Sequence, residues 1–178
     1  MKQIAAAIFG MVAMVGAADA KTLVAYYSRS GNTAAVADII KNATDADIFE
    51  IKTADANHYP TEYRATTETA KNEINSGTFP AIATTPDMTE YDTVFIGTPC
   101  WWGTMAGPVH TFLSQVDMSG KTVIPFNTHE GSGAGSVHSD IEKLTPNSTH
   151  KTGIAIWGND ASDAGDTINK WLTEIGIK

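Results

Sequence analysis

A short segment near the N-terminal end of the chain carries four hydroxyl or amide side chains around one glycine. It reads Ser28-Arg29-Ser30-Gly31-Asn32-Thr33 and follows an apolar stretch at 22–27 that predicts a strand. Backbone N–H groups at a helix start lack intrahelical acceptors, and the helix dipole adds positive charge there. The segment therefore predicts a phosphate-binding loop, in which Gly31 allows close backbone approach and the hydroxyls add hydrogen bonds.

The same residues are also typical of an ordinary helix start. In that interpretation Asn32 or Ser30 is the N-cap, whose side chain accepts a hydrogen bond from a backbone N–H of the first turn. Segment 28–33 taken alone leaves both interpretations open, because a serine-, threonine- and glycine-containing turn is a weak signal.

Two later segments bear on this choice. They read Gly-Thr-Pro-Cys-Trp-Trp-Gly at 97–103 and Pro-Phe-Asn-Thr-His-Glu-Gly-Ser-Gly at 125–133. Together with 28–33, and in the same order and spacing, they resemble the three motifs of the flavodoxin family of FMN-binding proteins. The resemblance covers nearly the whole chain from Lys21 onward, and 58–63 resembles a subfamily in which the second crossover is extended.

The resemblance implies FMN as the cofactor and gives each of the three loops a role. The first loop takes the phosphate, and the other two flank the isoalloxazine ring. The implied FMN-binding residues are Ser28, Arg29, Ser30, Gly31, Asn32, Thr33, Pro99, Cys100, Trp101, Trp102, Gly103, Thr128, His129, Gly131, Ser132 and Gly133.

Two adjacent tryptophans and one histidine are the side chains expected at the ring. At least one tryptophan should contact it, and Trp102 is favoured because it is closer to Gly103 and the strand edge. His129 is expected to bond to a flavin carbonyl or to stabilise charge at reduced N1. A surface histidine without such a role is the alternative interpretation.

Cys100 is the single cysteine of the chain, so an intramolecular disulfide is excluded. The family commonly has an aliphatic residue at this position, and a small buried side chain is expected here rather than a nucleophile, which would need a nearby base. The five histidines show no zinc-like spacing with it. No catalytic residue and no metal site is predicted.

Apolar strands alternate with amphipathic helices along the chain, which predicts an α/β fold with one parallel sheet covered on both faces. The strands are expected at 22–27, 47–52, 93–98, 122–127 and 151–157. The resemblance implies a flavodoxin-like three-layer sandwich, with the five strands in the order 2-1-3-4-5.

The connection at 53–92 is long for a compact domain. It is expected to hold a helix with Tyr59, Tyr63, Ala70 and Ile74 on one side, followed by an irregular stretch at 77–91. A segment of this length is either a functional lid or additional cover for the sheet.

Residues 1–20 have the features of a secretory signal peptide. Lys2 precedes an apolar run, and Ala18-Asp19-Ala20 fits a small-residue cleavage pattern. The sequence therefore predicts one flavodoxin-like domain at 21–178, export by a general secretory route and a periplasmic location if the source is bacterial. After cleavage, no stable membrane anchor is expected.

The formal net charge of −8 argues against nucleic acid as a partner, since phosphates require a basic surface. Acidity suits either docking to a basic partner or simple solubility. The leading functional hypothesis is an FMN-binding protein that carries electrons between redox partner proteins. The alternatives are an NAD(P)H-dependent reductase with a small quinone-type acceptor, and a flavin-free exported binding module.

Overall fold

The computed structural model describes residues 21–178, so the predicted signal peptide lies outside the described residues. None of the helices within 21–178 combines the length and the apolar character needed to cross a membrane. Along the chain the elements are β1 (Lys21–Tyr26), α1 (Asn32–Thr44), β2 (Asp47–Glu50), α2 (Tyr63–Ser76), β3 (Tyr91–Trp101), β4 (Thr104–Met105), α3 (Gly107–Gln115), β5 (Thr122–His129), α4 (Val137–Leu144), β6 (Thr149–His150), β7 (Ile154–Trp157) and α5 (Gly165–Glu174), with short 3-10 helices at Met88–Glu90 and Gly158–Asp163.

The main sheet is parallel and has the predicted order. β2, β1, β3 and β5 lie side by side, and both β6 and β7 pair with β5 at the edge. Of the fifth strand predicted at 151–157, only Ile154–Trp157 is a strand, and the short β6 precedes the predicted range. Pro125 in β5 has no N–H to donate at this point. Gly153 passes so close that a Cβ there would lie 2.6 Å from the Pro125 carbonyl oxygen. The α/β sandwich is confirmed.

Helices cover both faces of the sheet, as the alternation of elements predicts. On one face, α1 and α5 pack Val36, Ile40, Ile168 and Leu172 against the sheet. On the other face, α3 and α4 pack apolar side chains, including Val109, Phe112, Val137 and Ile141. We call these the α1/α5 layer and the α2/α3/α4 layer, because α2 lies beside α3.

The second crossover differs from its prediction at the start of its helix. α2 begins at Tyr63, because the Glu62 side chain caps it by accepting from the N–H groups of Arg64 and Ala65. Tyr59 therefore precedes the helix, and Tyr63 is exposed. The buried face of α2 instead consists of Thr66, Ala70 and Glu73.

Candidate functional site

Three loops meet at the carboxyl edge of β1, β3 and β5, where they form a cleft of about 520 Å³. Of the residues that the sequence assigned to the cofactor, those lining this cleft are Arg29, Ser30, Asn32, Pro99, Cys100, Trp101, Thr128, His129 and Ser132. Ser28, Gly31, Thr33, Trp102, Gly103, Gly131 and Gly133 lie in the same loops but do not line it. Sequence reasoning missed two lining residues, Tyr63 and Glu130.

The start of α1 has the geometry of an anion-binding loop. Gly31, at φ 94°, is the N-cap, and no side chain caps the helix, so neither Asn32 nor Ser30 is the N-cap. The first helical N–H bond runs from Ala35 to the Gly31 oxygen. The N–H groups of residues 32–34 precede this bond and have no acceptor in the helix, which leaves them available to an anion.

Two hydroxyls of this loop are committed to the protein itself. The Ser28 Oγ accepts from the Gly31 N–H at 3.2 Å. Thr33 is buried, and its Oγ1 lies 2.8 Å from Oγ1 of Thr128 in β5. These two bonds hold the loop in shape, whereas Ser30 is exposed at the cleft and Asn32 lines it beside Glu130.

Arg29 connects the phosphate loop to the second crossover. Its Nη2 donates to the carbonyl oxygens of Pro60 and Thr61, at 3.3 and 2.9 Å. The guanidinium therefore stays at the cleft wall with further N–H groups on its fork. Nothing in the local sequence around Arg29 indicates this contact, because its acceptors lie about thirty residues away.

The second and third loops form one continuous wall. The backbone N–H and the Oγ of Ser136 both donate to the Gly103 oxygen, at 2.7 and 2.9 Å. A Cβ at Gly135 would lie 2.4 Å from that same oxygen, so only glycine fits there. Cys100 lies in this wall with its Sγ 3.9 Å from the Ala134 oxygen. It is half-buried, and the expectation of a buried side chain is wrong because the cleft exposes it.

The two adjacent tryptophans occupy different environments. Trp101 ends β3, lines the cleft, and contacts Tyr59 and Tyr27 edge to face, with ring centroids 5.0 and 5.7 Å away. Trp102 is 57% exposed and donates from Nε1 to the Thr67 oxygen of α2 at 2.9 Å. The structure thus brings Trp101, and not Trp102, into one cleft with the phosphate loop.

Trp102 and Gly103 are the two turn residues of the hairpin between β3 and β4, since Trp101 pairs with Thr104. Both have positive φ, 52° and 84°. A two-residue hairpin with this geometry is a type I′ turn, which favours asparagine or glycine at the first position. Tryptophan at that position is therefore strained.

A buried carboxylate holds Tyr59, the residue that packs against the ring of Trp101. Glu73 of α2 accepts from the Tyr59 hydroxyl at 2.8 Å and lies 2.5 Å from Nε2 of His58. Burial, together with the bond to Glu73, raises the pKa of Tyr59 far above its ordinary value, so its hydroxyl stays protonated. The Glu73 carboxylate also approaches Gly107 in the first turn of α3, where the helix dipole favours negative charge.

His129 has a defined tautomer in its neutral form. Its Nδ1 accepts from the Gly131 N–H at 3.0 Å, which leaves the proton on Nε2. The imidazole stacks on Trp157 of β7, with ring centroids 6.4 Å apart and planes inclined by 25°. Sequence reasoning missed this partner, although Trp157 is in register with His129 across the β5 and β7 pair.

Within residues 21–178, no cluster of three or more His, Cys, Asp or Glu side chains is arranged to hold a metal ion. The cleft offers the free N–H groups of α1, hydroxyls, one guanidinium, aromatic rings, the His129 imidazole, the Cys100 thiol and one carboxylate, that of Glu130. This set suits a ligand with an anionic end and a planar end.

Comparison with known proteins agrees with this geometry. A crystal structure from Bacteroides eggerthii, provisionally classed as a flavoprotein, is 30% identical and has a TM-score of 0.78, over 90% of this chain and 100% of that one. A flavoprotein from Lactobacillus acidophilus, solved in complex with FMN, is 26% identical with a TM-score of 0.68, over 83% of this chain and 99% of that one. A comparison with curated proteins gave no match. The sequence model of a flavodoxin family matches residues 21–175, and the chain therefore belongs to the flavodoxin family.

Proposed function

We propose that this protein binds FMN in the cleft and carries electrons between redox partner proteins. The observation that carries the proposal is the meeting, in one cleft of about 520 Å³, of the free N–H groups of α1 with the ring of Trp101. The residues fit FMN, because an unpaired helix start suits its phosphate and an aromatic wall suits its ring. When bound, FMN supplies the electron-transfer chemistry.

In this proposal each group of residues in the cleft contacts a different part of FMN. The N–H groups of 32–34 and the Ser30 hydroxyl bind the phosphate. Trp101, braced by Tyr59 and Tyr27, holds a fixed orientation at the ring. His129 also lines the cleft, and its Nε2–H is a hydrogen-bond donor because Nδ1 accepts from the Gly131 N–H.

A phosphate-loop variant tests the binding. Ser30→Asp places a negative charge beside the phosphate and should weaken FMN by about 1–3 kcal/mol, the range for hydrogen bonds to charged groups. Ser119→Asp is the matched control, because the same charge change occurs before β5, at the opposite edge of the sheet. Titration of the apoprotein with FMN measures both. Equal affinity of the two variants would contradict the phosphate site, and a wild-type protein that ignores FMN would favour a flavin-free binding module.

The ring site is tested by the two tryptophans. Aromatic stacking on a base is worth about 1–3 kcal/mol, and truncation should cost FMN a similar amount. We expect the larger loss of affinity and of fluorescence quenching for Trp101→Ala, which lines the cleft, although the sequence favoured Trp102. If both variants bind FMN as tightly as the wild type, the loop at 99–103 does not contact the ring.

An NAD(P)H-dependent reductase with a small quinone-type acceptor is the second candidate. It is favoured by a groove that adjoins the cleft beside Trp101 and Trp102. Steady-state oxidation of NADPH by the FMN-loaded protein, with a soluble quinone as acceptor, distinguishes the two functions. A carrier needs a partner protein as its electron source and should show no turnover under these conditions.

We also propose that the chain is exported and that residues 1–20 are removed. The proposal is supported by the basic residue, apolar run and Ala18-Asp19-Ala20 pattern of this segment. N-terminal sequencing of native protein should then begin at Lys21. A native protein that starts at Met1 would contradict the proposal.

A further inference from the structure

Two fully buried polar side chains lie near the carboxyl ends of β3 and β5, on the sheet face that the α2/α3/α4 layer covers. They are Thr98 and Asn127, which are in register and both 0% exposed. Side chains alternate between the faces of a strand, so Asn127 shares its face with Val123, which packs in the core of this layer. Thr98 is satisfied, because its Oγ1 accepts from the Ala106 N–H and donates to the Pro99 oxygen.

The amide of Asn127 is only half satisfied. Its Nδ2 donates to the Gly133 oxygen at 3.1 Å. Its Oδ1 is buried and has no hydrogen-bond partner within residues 21–178. A buried amide oxygen without a donor destabilises the folded state, and an aliphatic side chain of similar shape would avoid that loss. The bond to Gly133, rather than core packing, therefore accounts for an amide at this position.

The bond to Gly133 holds the tip of the loop that follows β5. Gly131 and Gly133 both have positive φ, 117° and 64°, and glycine backbone has many accessible conformations when nothing restrains it. Two hydrogen bonds restrain this tip. The Gly131 N–H donates to Nδ1 of His129, and the Gly133 oxygen accepts from Asn127. Ser132 lies between the two bonds and lines the cleft.

The two bonds depend on each other because only one residue separates their attachment points. If Gly133 is released from Asn127, the Gly131 N–H is no longer held at the His129 ring. His129 lines the cleft, and its orientation and the proton on Nε2 both depend on that N–H. The buried amide is thus connected to a cleft side chain through three residues of backbone.

We propose that Asn127 is a positioning residue of the cleft, which holds the loop tip at 131–133 and, through it, the ring of His129. The inference deepens the proposed function and rests on it where it concerns FMN. The restraint of the loop tip is a property of the protein alone, so it can be measured without the cofactor.

The test uses Asn127→Leu, in which a leucine of similar shape replaces the amide, and Asn127→Ala, which cannot overpack the core. Asn169→Leu is the matched control, because Asn169 Nδ2 also donates to a glycine oxygen, that of Gly165 at 2.9 Å, in α5 of the other layer. Solvent exchange of the Gly131 N–H is measured by NMR on the apoproteins. The N–H of Val94, a fully buried residue of β3, reports global unfolding in the same spectra.

Both Asn127 variants should exchange the Gly131 N–H about fivefold faster than the wild type, with Val94 unchanged, as expected for one lost hydrogen bond. Their affinity for FMN should fall by a similar factor of about five, since the donor on His129 is no longer fixed. Asn169→Leu should change neither quantity.

The outcomes separate this inference from the proposed function. If Gly131 alone exchanges faster but the wild type does not bind FMN, the restraint by Asn127 stands and the proposed function fails. If Gly131 exchange is unchanged, or rises together with that of Val94, Asn127 does not hold the loop tip and the inference is wrong. Equal FMN affinity of the wild type and both Asn127 variants would also overturn it, since the tip would then have no effect on the cleft.

Discussion

The α1/α5 layer covers one face of the sheet with apolar side chains, whereas the α2/α3/α4 layer also buries ionisable ones. Ile168, Trp171 and Leu172 of α5 are typical of the first layer and pack in one cluster with Phe95 of β3. The second layer contains Glu73 with a side chain only 8% exposed, bonded to His58 and Tyr59. Both layers end at the same carboxyl edge of the sheet, but only the second continues into the groove beside the cleft.

The two layers therefore differ in role. The first contributes stability alone, and the second also supports the candidate site. An apolar layer needs only shape and hydrophobic burial, and it tolerates no polar group without a partner. The buried Glu73 carboxylate needs the hydrogen bonds of His58 and Tyr59, which restricts these three side chains to one arrangement. That arrangement braces Trp101 through Tyr59. We therefore expect variants in the first layer to change stability alone, and variants in the second to change stability and the site together.

The largest expected effect is a loss of stability in the apolar α1/α5 layer. Trp171→Ala removes a ring that is 5% exposed, packs edge to face on Phe95 and donates from Nε1 to the Thr152 oxygen. Such truncations cost about 3–5 kcal/mol in free energy of unfolding. Urea denaturation measures the loss, and FMN affinity of the remaining folded protein should equal that of the wild type. A changed affinity would show that this layer is not independent of the cleft.

The second-largest loss of stability is expected at Glu73, the buried carboxylate of the α2/α3/α4 layer. Glu73→Ala leaves the Tyr59 hydroxyl and the His58 ring without their acceptor, which should cost about 1–3 kcal/mol of stability. Because Tyr59 braces Trp101, FMN affinity should fall as well. Glu73→Gln is the control, since its amide oxygen still accepts one hydrogen bond and should recover part of both losses. If Glu73→Ala lowers stability with no change in FMN affinity, the network is structural only.

A third prediction concerns pH, because two histidines of the α2/α3/α4 layer are partly buried. Burial lowers the pKa of His110 in α3 and of His138 in α4, although Asp140 and Glu142 respectively act to raise them. Below about pH 6.5 the unfolded chain gains protons that the folded histidines resist. Stability is therefore full above that pH and is lost as the pH falls towards the lowered values.

The measurement is the free energy of unfolding between pH 7 and pH 5. Each histidine can contribute a slope of at most about 1.4 kcal/mol per pH unit. The double variant His110→Gln/His138→Gln should show a flatter profile than the wild type over this interval. Identical profiles would show that His110 and His138 do not cause the acid sensitivity of the protein.

The sequence predicted the apolar parts of the fold well for a physical reason. Buried parallel strands are continuous apolar runs, and amphipathic helices repeat at a fixed spacing, so both are visible locally. The boundaries were less accurate. β3 extends to Trp101 rather than ending at residue 98, because Pro99 still pairs with Thr128 and Cys100 pairs with Met105. Such extensions depend on neighbouring strands, which the local pattern does not contain.

The site was predictable to the extent that its chemistry is local. The phosphate loop is one continuous segment, and its helix start is visible in the sequence. The contacts of Glu73 with His58 and Tyr59 are not, because they depend on the path of an irregular segment between distant residues. The sequence does contain an indication that the rings of Trp101 and Trp102 lie in different environments. Trp-Gly between two pairing residues is a possible two-residue hairpin turn, which places the two rings on different sides of the chain.

The smallest effect is expected at that turn, and it sharpens the comparison because Trp102 belongs to the groove rather than to either core. A non-glycine residue at φ 52° costs of order 1–3 kcal/mol, which the Thr67 bond and the Lys71 contact offset in part. Trp102→Ala loses both contacts and keeps the strain, whereas Trp102→Asn loses the contacts and relieves it. The asparagine variant should therefore be more stable than the alanine variant by less than about 1 kcal/mol, in urea denaturation at neutral pH. An asparagine variant no more stable than the alanine variant would show that the backbone at Trp102 is not strained.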